Sequence, residues 1–428
     1  MIRNYILQAL TMMRQHKLFT GIYIGGTAIS LAFAMTLFII FNIQISPAYP
    51  EYSRDRLVVL SKVRCHSFTG AEYVSLVTEY GLPGEFVPRM RDIEGVKHLS
   101  CLQYSRADIL VANDKEFERP NTVGVDDVYW EIFDFEFIHG APFGYEELND
   151  KKAVISESFA KRVFAHTDVV GEQMCIDSHH IFTVVGVVKD APGCMGYTSY
   201  DIFVPLNQLA APNYFHDFEL LGNMRVLIEA EGAGDIAGIK KEANERYARF
   251  VDEVMQRNKY TEYKYTFYAL SHWQEALDLA PDDTVWDAFQ SFFFVIIAFL
   301  FIPALNLSGM IASRMKSRLS EIGVRKAYGA TNGQILRQVL WENLLLTLAG
   351  AVVGLGLSFL ITDIAIDDIL AIIFGYKSEC QYSVEMLFSP RIFVAAFVLC
   401  LVLNIASALL PAALTLKKNI VESLYNKR

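Results

Sequence analysis

Four stretches of this chain carry no charged residue at all: 18–50, 288–313, 343–362 and 392–416. Each supplies the roughly 20 apolar residues that a helix needs to cross about 30 Å of hydrocarbon, so the chain is expected to pass a membrane four times. The segments outside these runs are then sorted by charge. Segments 1–17, 313–337 and 416–428 hold thirteen Lys or Arg against two acids, a net of +11 in a chain of net charge −10, which leaves −21 elsewhere. Short basic segments stay on the cytoplasmic side. Both termini and the 313–337 connector are therefore expected inside, and the acidic bulk outside.

The expected order follows. An amphipathic helix over 1–17, with Ile2, Tyr5, Ile6, Ala9, Leu10 and Met13 on one stripe, lies on the inner leaflet. Spans then occupy 18–42, 288–312, 335–362 and 391–416, with a soluble domain at 43–287, a connector at 313–334, a short outer loop at 363–390 and a tail at 417–428. The first span is expected to stay as an anchor, because its run exceeds a signal-peptide core and no small-x-small cleavage site precedes Pro47 and Pro50. Within 43–287, strand-like runs at 57–63, 109–111, 153–155, 181–188, 202–204 and 225–228 interleave with helix-like runs at 85–94, 157–164 and 235–255. That mixture predicts an α+β domain of about 240 residues, with its own core and room for two subdomains. The fold class is thus four transmembrane helices with a large α+β domain inserted between the first and second.

The connector is the most ordered of the basic segments. Arg314, Arg318, Glu321 and Arg325 recur on one helical face, and Met315, Leu319 and Ile322 on another. Gly329 fits a left-handed C-terminal cap, and Thr331 with Gln334 fits a capping box that opens the next helix. Gly323 is expected to weaken the first helix and to leave a short separate helix over 321–328. Composition alone accounts for such a segment as one that orients the protein and touches lipid phosphates.

The spans carry further marks. Pro303 is expected to kink the second span, and Asn306 reads as an interhelical hydrogen-bonding residue rather than a pathway residue. Glu342, near the inner end of the third span, answers the basic connector electrostatically. Gly350 and Gly354 form a G-x-x-x-G face, and Gly21, Gly25, Gly26, Ala28 and Ser30 form a small-residue face on the first span. These two faces are the candidate contacts between copies of the chain.

Several chemistries are missing. No G-x-x-x-x-G-K-[ST] loop and no Gly-Lys dipeptide occurs, so no nucleotide is cradled by that route. No G-x-S-x-G or H-E-x-x-H motif and no catalytic carboxylate pair stands out, so no catalytic residue is assigned. Asp363, Asp367 and Asp368 have no calcium-loop spacing, and His166, His179 and His180 lack zinc-ligand partners, so no metal site is assigned. A disulfide among Cys65, Cys101, Cys175 and Cys194 and a set of free thiols both fit. The basic residues sit at membrane edges rather than on one soluble face, which argues against nucleic acid as a partner.

The run Glu321 Ile322 Gly323 Val324 Arg325 Lys326 Ala327 Tyr328 Gly329 Ala330 Thr331 closely resembles the signature of the FtsX-like, MacB-like permeases of ABC transporters. Weaker pieces in the same order resemble that family's periplasmic core domain: 93–96, 125–133 followed by Gly140, 153–156, Gly171, 184–188 and 201–205. The family also resembles this chain in carrying an Asn near 306 and an acid near 342. The resemblance implies an inner-membrane permease with a periplasmic domain, paired with a second copy or a related permease. It implies that Glu321, Arg325 and Lys326 couple to a separate cytoplasmic ATPase that holds the ATP and Mg, with Gly329 and Thr331 holding the turn. Mechanotransmission for export of an antibiotic, a peptide or a similar substrate, with a periplasmic adaptor and an outer-membrane duct as further partners, is what the MacB-like branch implies. The FtsX-like branch implies control of a cell-wall hydrolase instead, and the related Lol permeases imply lipoprotein release.

Overall fold

The first uncharged run forms one helix, α1 (Lys17–Ile45), of which Thr20–Ile45 is long and apolar enough to cross a membrane. The structure, a computed structural model, describes residues 11, 14–15, 17–69, 72–74, 79–104, 111–112, 117–118, 120–176, 180–193, 195–208, 219–258, 263–277, 279, 284, 286–287, 319–374 and 390–416, with isolated positions between 290 and 315. Two compact units divide it: Gln44–Val285, with Glu379–Gln381, and the helical remainder.

The Gln44–Val285 unit is built on one sheet. Its strands are β1 (Leu57–Thr69), β2 (Glu72–Val74), β3 (Glu79–Tyr80), β4 (Val96–Tyr104), β5 (Val111–Ala112), β6 (Phe117–Glu118) and β7 (Thr122–Val125). Helix α2 (Tyr129–Ile132) precedes β8 (Phe137–Gly140) and β9 (Lys152–Ser156), and α3 (Glu157–Phe164) precedes β10 (Gln173–Ile176), β11 (His180–Val188), β12 (Ile202–Pro205) and β13 (Met224–Ala230). Helix α4 (Ile236–Asn258), β14 (Tyr263–Ser271) and α5 (His272–Ala276) complete it. The strand order is β14-β1-β13-β4-β7-β12-β9-β11-β10-β5-β6, with β2 and β3 on β1 and β8 on β11. Only the β9–β11 and β7–β12 pairs are parallel among the described strands.

Side chains alternate across a strand. Along β1, Val58 and Leu60 enter one core while Leu57 and Val59 enter another, and β13 repeats this with Val226 and Ile228 against Leu227. Leu57–Leu60 and Val226–Ile228 are covered on both faces, which is why these parts of the strands read as unbroken apolar runs. Helix α4 closes the first core with Ile239, Ala243, Tyr247, Phe250 and Val254 at helical spacing. The second core is aromatic: the Tyr129 and Phe133 rings lie 4.9 Å apart, and Trp130, Phe135, Phe137 and Phe203 pack around them. Asp126 opens α2 by accepting from the Tyr129 amide (3.0 Å), and it also accepts from Ser100 Oγ (2.6 Å) and the Cys101 amide (2.8 Å). Burial pushes its carboxyl up to about 6, against those three donors.

Several sequence expectations change. The helix expected at 85–94 is a four-residue 3-10 turn, Val87–Met90, because Pro88 donates no amide hydrogen and Gly95 adopts φ +83° just beyond. The helical spacing there reported burial alone: Phe86, Val87, Met90 and Ile93 all enter the first core. Strands β4, β7 and β14 were not marked by their sequences; β4 mixes His98, Ser100 and Gln103 into its apolar positions. Cys101 is a buried free thiol that burial holds above the ordinary range, and Cys175 is also free. Cys194 lies outside the described residues.

The helical unit continues with α6 (Leu319–Ala327), α7 (Asn332–Phe374) and α8 (Pro390–Leu416). Asn332–Thr362 is the second described stretch long and apolar enough to cross a membrane, and Phe393–Leu409 is a shorter apolar one. Expected span 288–312, with Pro303 and Asn306, lies largely outside the described residues. Helix α7 does not stop near 362; its 43 residues reach about 65 Å, so Asp363, Asp367 and Asp368 ride on the helix instead of on a loop. Apolar Ile364, Ile366, Leu370 and Ile373 continue beyond Thr362 with no Gly or Pro to end the helix.

The small-residue face of α7 is occupied within the chain. A Cβ at Gly350 would lie 2.9 Å from Thr27 Cβ, and one at Gly354 would lie 2.8 Å from the Ala28 carbonyl oxygen. This face therefore receives α1, rather than the second copy that its pattern suggested. Nothing lies within 4 Å of an added Cβ at Gly21, Gly25 or Gly26. Around the contact, Leu31, Ala34 and Met35 pack with Ala351, Ala396 and Cys400, and Thr347 Oγ1 lies 3.3 Å from Tyr23 Oη and accepts from Asn404 Nδ2 (3.2 Å). Gly354→Leu is expected to destabilise this unit by about 1–3 kcal/mol, because the obstructing atom is backbone and one helix must move. Detergent-titrated unfolding of the full chain measures it, with Gly356→Ala, which has nothing within 4 Å of the added Cβ, as the silent control.

Candidate functional site

Helix α6 ends in a closed turn. The Ala330 amide donates to the Arg325 carbonyl (3.0 Å) and the Gly329 amide to the Lys326 carbonyl (3.0 Å), with Gly329 at φ +90°. This is the paired arrangement that needs a residue in the left-handed region, where glycine carries no Cβ penalty. Two residues on, the Gln334 amide donates to Thr331 Oγ1 (3.3 Å), and Gln334 Oε1 accepts from the Thr331 amide (3.0 Å). One helix is stopped and the next started within five residues, so the direction of α6 is fixed against α7. Helix α6 runs unbroken through Gly323.

The two faces of α6 differ. Ile322, together with Met315, packs with Ile335, Ala408 and Ala412. Arg325 turns toward α7: Nη2 meets Glu321 Oε1 at 2.5 Å, Nη1 donates to Gln338 Oε1 at 2.6 Å, and Gln338 Nε2 donates to Glu342 Oε1 at 3.2 Å. Glu342 is 4% exposed. Its expected electrostatic link to the basic connector thus runs through Gln338, which the sequence did not single out. Lys326 is half-buried, while Val324 is 48% and Tyr328 89% exposed, four residues apart on one face. Val324 and Tyr328 thus form an exposed apolar edge on a helix held at its other face. That pair lay inside the quoted signature, and the signal for it was an i, i+4 apolar repeat outside the Met315–Ile322 stripe. The sequence-assigned residues Glu321, Arg325, Lys326, Gly329, Thr331 and Glu342 therefore cluster around one helix end, whereas Gly350 and Gly354 belong to the packing of α7 on α1.

The FtsX-like permease C-terminal family matches residues 293–420, which include this connector. The MacB-like periplasmic core domain family matches residues 20–246, more than half of the chain. The chain belongs to the FtsX-like, MacB-like permease family. The permease is 27% identical to the uncharacterized ABC transporter permease YknZ of Bacillus subtilis, over 63% of this chain and 64% of YknZ. It is 24% identical to the macrolide export ATP-binding/permease protein MacB of Vibrio parahaemolyticus, over 70% of this chain and 42% of MacB. The permease thus matches less than two thirds of the length of either relative. Among solved structures, a permease domain from Porphyromonas gingivalis overlays 56% of the permease and 97% of itself at 16% identity and a TM-score of 0.41. The extracellular domain of YknZ overlays 48% of the permease and 98% of itself at 17% identity and a TM-score of 0.34.

A second polar cluster of the permease lies within the Gln44–Val285 unit, where the incoming chain (Gln44–Arg56) and the outgoing chain (Ser271–Leu279) meet. Strand pairing Val58 with Ser271 sets them side by side. On the incoming side, Glu51 is fully buried; Oε2 accepts from Arg54 Nε (2.7 Å), and Oε1 accepts from the Tyr197 amide (3.1 Å) and Thr198 Oγ1 (2.8 Å). Arg54 Nη1 also donates to the Ser46 carbonyl (3.2 Å). On the outgoing side, Glu275 Oε2 accepts from the Tyr197 hydroxyl (3.1 Å), and Oε1 accepts from Ser61 Oγ (2.9 Å) and faces Arg225 at 3.4 Å. His272 Nδ1 lies 3.3 Å from the Tyr197 hydroxyl, and Nε2 lies 3.0 Å from the carbonyl oxygen of Gln44. Burial pushes the Tyr197 phenol well above its ordinary range.

Proposed function

We propose that this chain is the membrane subunit of an ABC export system that transmits the work of a separate cytoplasmic ATPase to a domain outside the membrane. The observation that carries this reading is the exposed Val324–Tyr328 edge, held by the Gly329 turn and by the Arg325–Gln338–Glu342 bonds at one end of α7. A docking helix with slack in it would absorb a push from its partner. One that is bonded to a long helix passes the push on.

The rest of the reading is built around that helix. The chain crosses the inner membrane four times, both termini and the connector are cytoplasmic, and the 43–287 domain is periplasmic, as the charge distribution supports. ATP and Mg are held by the partner ATPase, and this chain is no enzyme itself. Two copies, or one copy and a related permease, face a pair of ATPases. Glu321 and Lys326 line the docking edge, while Arg325, Gly329 and Thr331 set its angle. The substrate is an antibiotic, a peptide or a similar molecule, handled with a periplasmic adaptor and an outer-membrane duct.

Replacing Tyr328 by Asp places a charge where the partner must exclude water, and is expected to lower affinity for the ATPase about tenfold or more. Its exposure means that the fold is untouched. Titrating the cognate ATPase onto the reconstituted permease, with folding checked by chromatography, measures the loss. Unchanged affinity would remove α6 as the docking element. Companions recovered in mild detergent separate export from its alternatives: an adaptor and duct support it, whereas a cell-wall hydrolase or a lipoprotein acceptor would move the reading to an FtsX-like or a Lol-like role.

A further inference from the structure

Tyr197 bonds to both halves of the polar cluster in the Gln44–Val285 unit. It sits in the loop between β11 and β12, 146 residues after Glu51 and 75 before His272. Its amide donates to Glu51 on the incoming side, and its hydroxyl donates to Glu275 on the outgoing side with His272 Nδ1 3.3 Å from the same oxygen. Its carbonyl accepts from the Tyr129 hydroxyl at 3.0 Å, which ties the loop to the aromatic core, and the Arg225 guanidinium lies 5.7 Å from its ring centroid.

Stability alone does not call for this arrangement. Buried ion pairs return little net stability over well-packed apolar groups, but they specify one geometry, since any shift leaves a charge or a donor unmatched. Here the geometry specified is the spacing between the two places where the chain enters and leaves the domain. Gln44, in the last turn of α1, is held through its carbonyl by His272, the first residue of α5. The outgoing stretch is closed on itself by the Ser271–Gln274 capping box and by the Leu279 amide donating to the Gln274 carbonyl (2.9 Å).

We infer that Tyr197 is a positioning residue that locks the incoming and outgoing chain segments of the domain to each other and to the sheet, so that displacement of either is delivered to the whole domain. That this joint serves transmission rests on the function proposed above. The joint itself does not depend on which protein drives it.

Hydrogen exchange on the full-length permease in lipid nanodiscs, with no ATPase present, tests the joint. Tyr197→Phe keeps the ring and removes the hydroxyl. Amide exchange is expected to rise about tenfold in both 44–56 and 271–279 together, while β4 and β9 keep wild-type protection. Tyr129→Phe, which removes a buried hydroxyl bonded to the same residue but to neither segment, is expected to raise exchange around α2 alone. His272→Asn keeps a polar group beside Tyr197 but cannot reach the Gln44 carbonyl, and is expected to give the same paired rise. A rise confined to one segment, a rise spread evenly over the sheet, or no rise overturns the joint. Because no ATPase is present, loss of docking at Tyr328 leaves this result unaffected.

Discussion

Glu51→Ala is expected to destabilise the domain by about 3–5 kcal/mol, a large share of what holds a domain of this size together. The loss has little to do with the ion pair's own net worth. Arg54 is almost fully buried, and its Nε is bonded to Glu51. Without that carboxylate a positive charge stays in a low-dielectric interior, and the Tyr197 amide and Thr198 hydroxyl lose their acceptor as well. The companion experiment separates the two explanations. Glu51→Leu combined with Arg54→Met removes the charge along with its partner, and is expected to return most of the lost stability. Denaturant unfolding of the single and double variants, followed by hydrogen exchange of β1 and β13 amides, reads both values. A double variant no more stable than Glu51→Ala would mean that the hydrogen bonds to Tyr197 and Thr198, rather than the stranded charge, carry the effect.

What the sequence made legible was whatever depends on near neighbours. The Gly329 and Thr331 turn is written in six consecutive residues, and the long apolar runs need only their own composition. A strand buried on both faces, such as β13 over Val226–Ile228, announces itself as an apolar run. The root of the domain was invisible for the opposite reason. Glu51, Tyr197 and the nearby pair His272 and Glu275 are separated by tens to hundreds of residues, and each looks like an ordinary surface polar residue until the sheet brings them together. The Gly350–Gly354 face was recognised as a packing surface, but a pattern on one helix cannot name the helix that fills it. Similarly, Phe86, Val87, Met90 and Ile93 were correctly spaced for burial, and the intervening Pro88 turned the same spacing into a 3-10 turn.

Acidification is expected to unlock the same root. Burial, reinforced by the Arg54 charge and opposed by the bond to the Gln44 carbonyl, pushes the His272 imidazole from 6.5 down to about 3. A histidine that folding keeps neutral binds fewer protons than its unfolded counterpart, so stability falls as pH drops from about 6.5 to 3 and is fully present above that window. The groups around it are the Tyr197 hydroxyl, Arg54, and beyond the hydroxyl Glu275 with Arg225, and Glu51. Protonation would let Nδ1 donate to Tyr197 and so offsets part of the penalty, which leaves a loss on the order of 4 kcal/mol at pH 3 as the upper end. Asp126 acts in the other direction. Its carboxyl, raised to about 6, gains protons on folding, so it adds stability as pH falls through 6 toward 4. The two offset each other there, and the net decline emerges below about pH 4. Comparing wild type with His272→Gln across pH isolates the histidine, because the Asp126 contribution cancels. The penalty of the substitution is expected to be largest near pH 7 and to shrink steadily toward pH 3, since only the wild type has an imidazole to charge. A penalty that stays constant with pH would mean that His272 takes up as many protons in the folded domain as in the unfolded chain, so that burial does not hold it neutral.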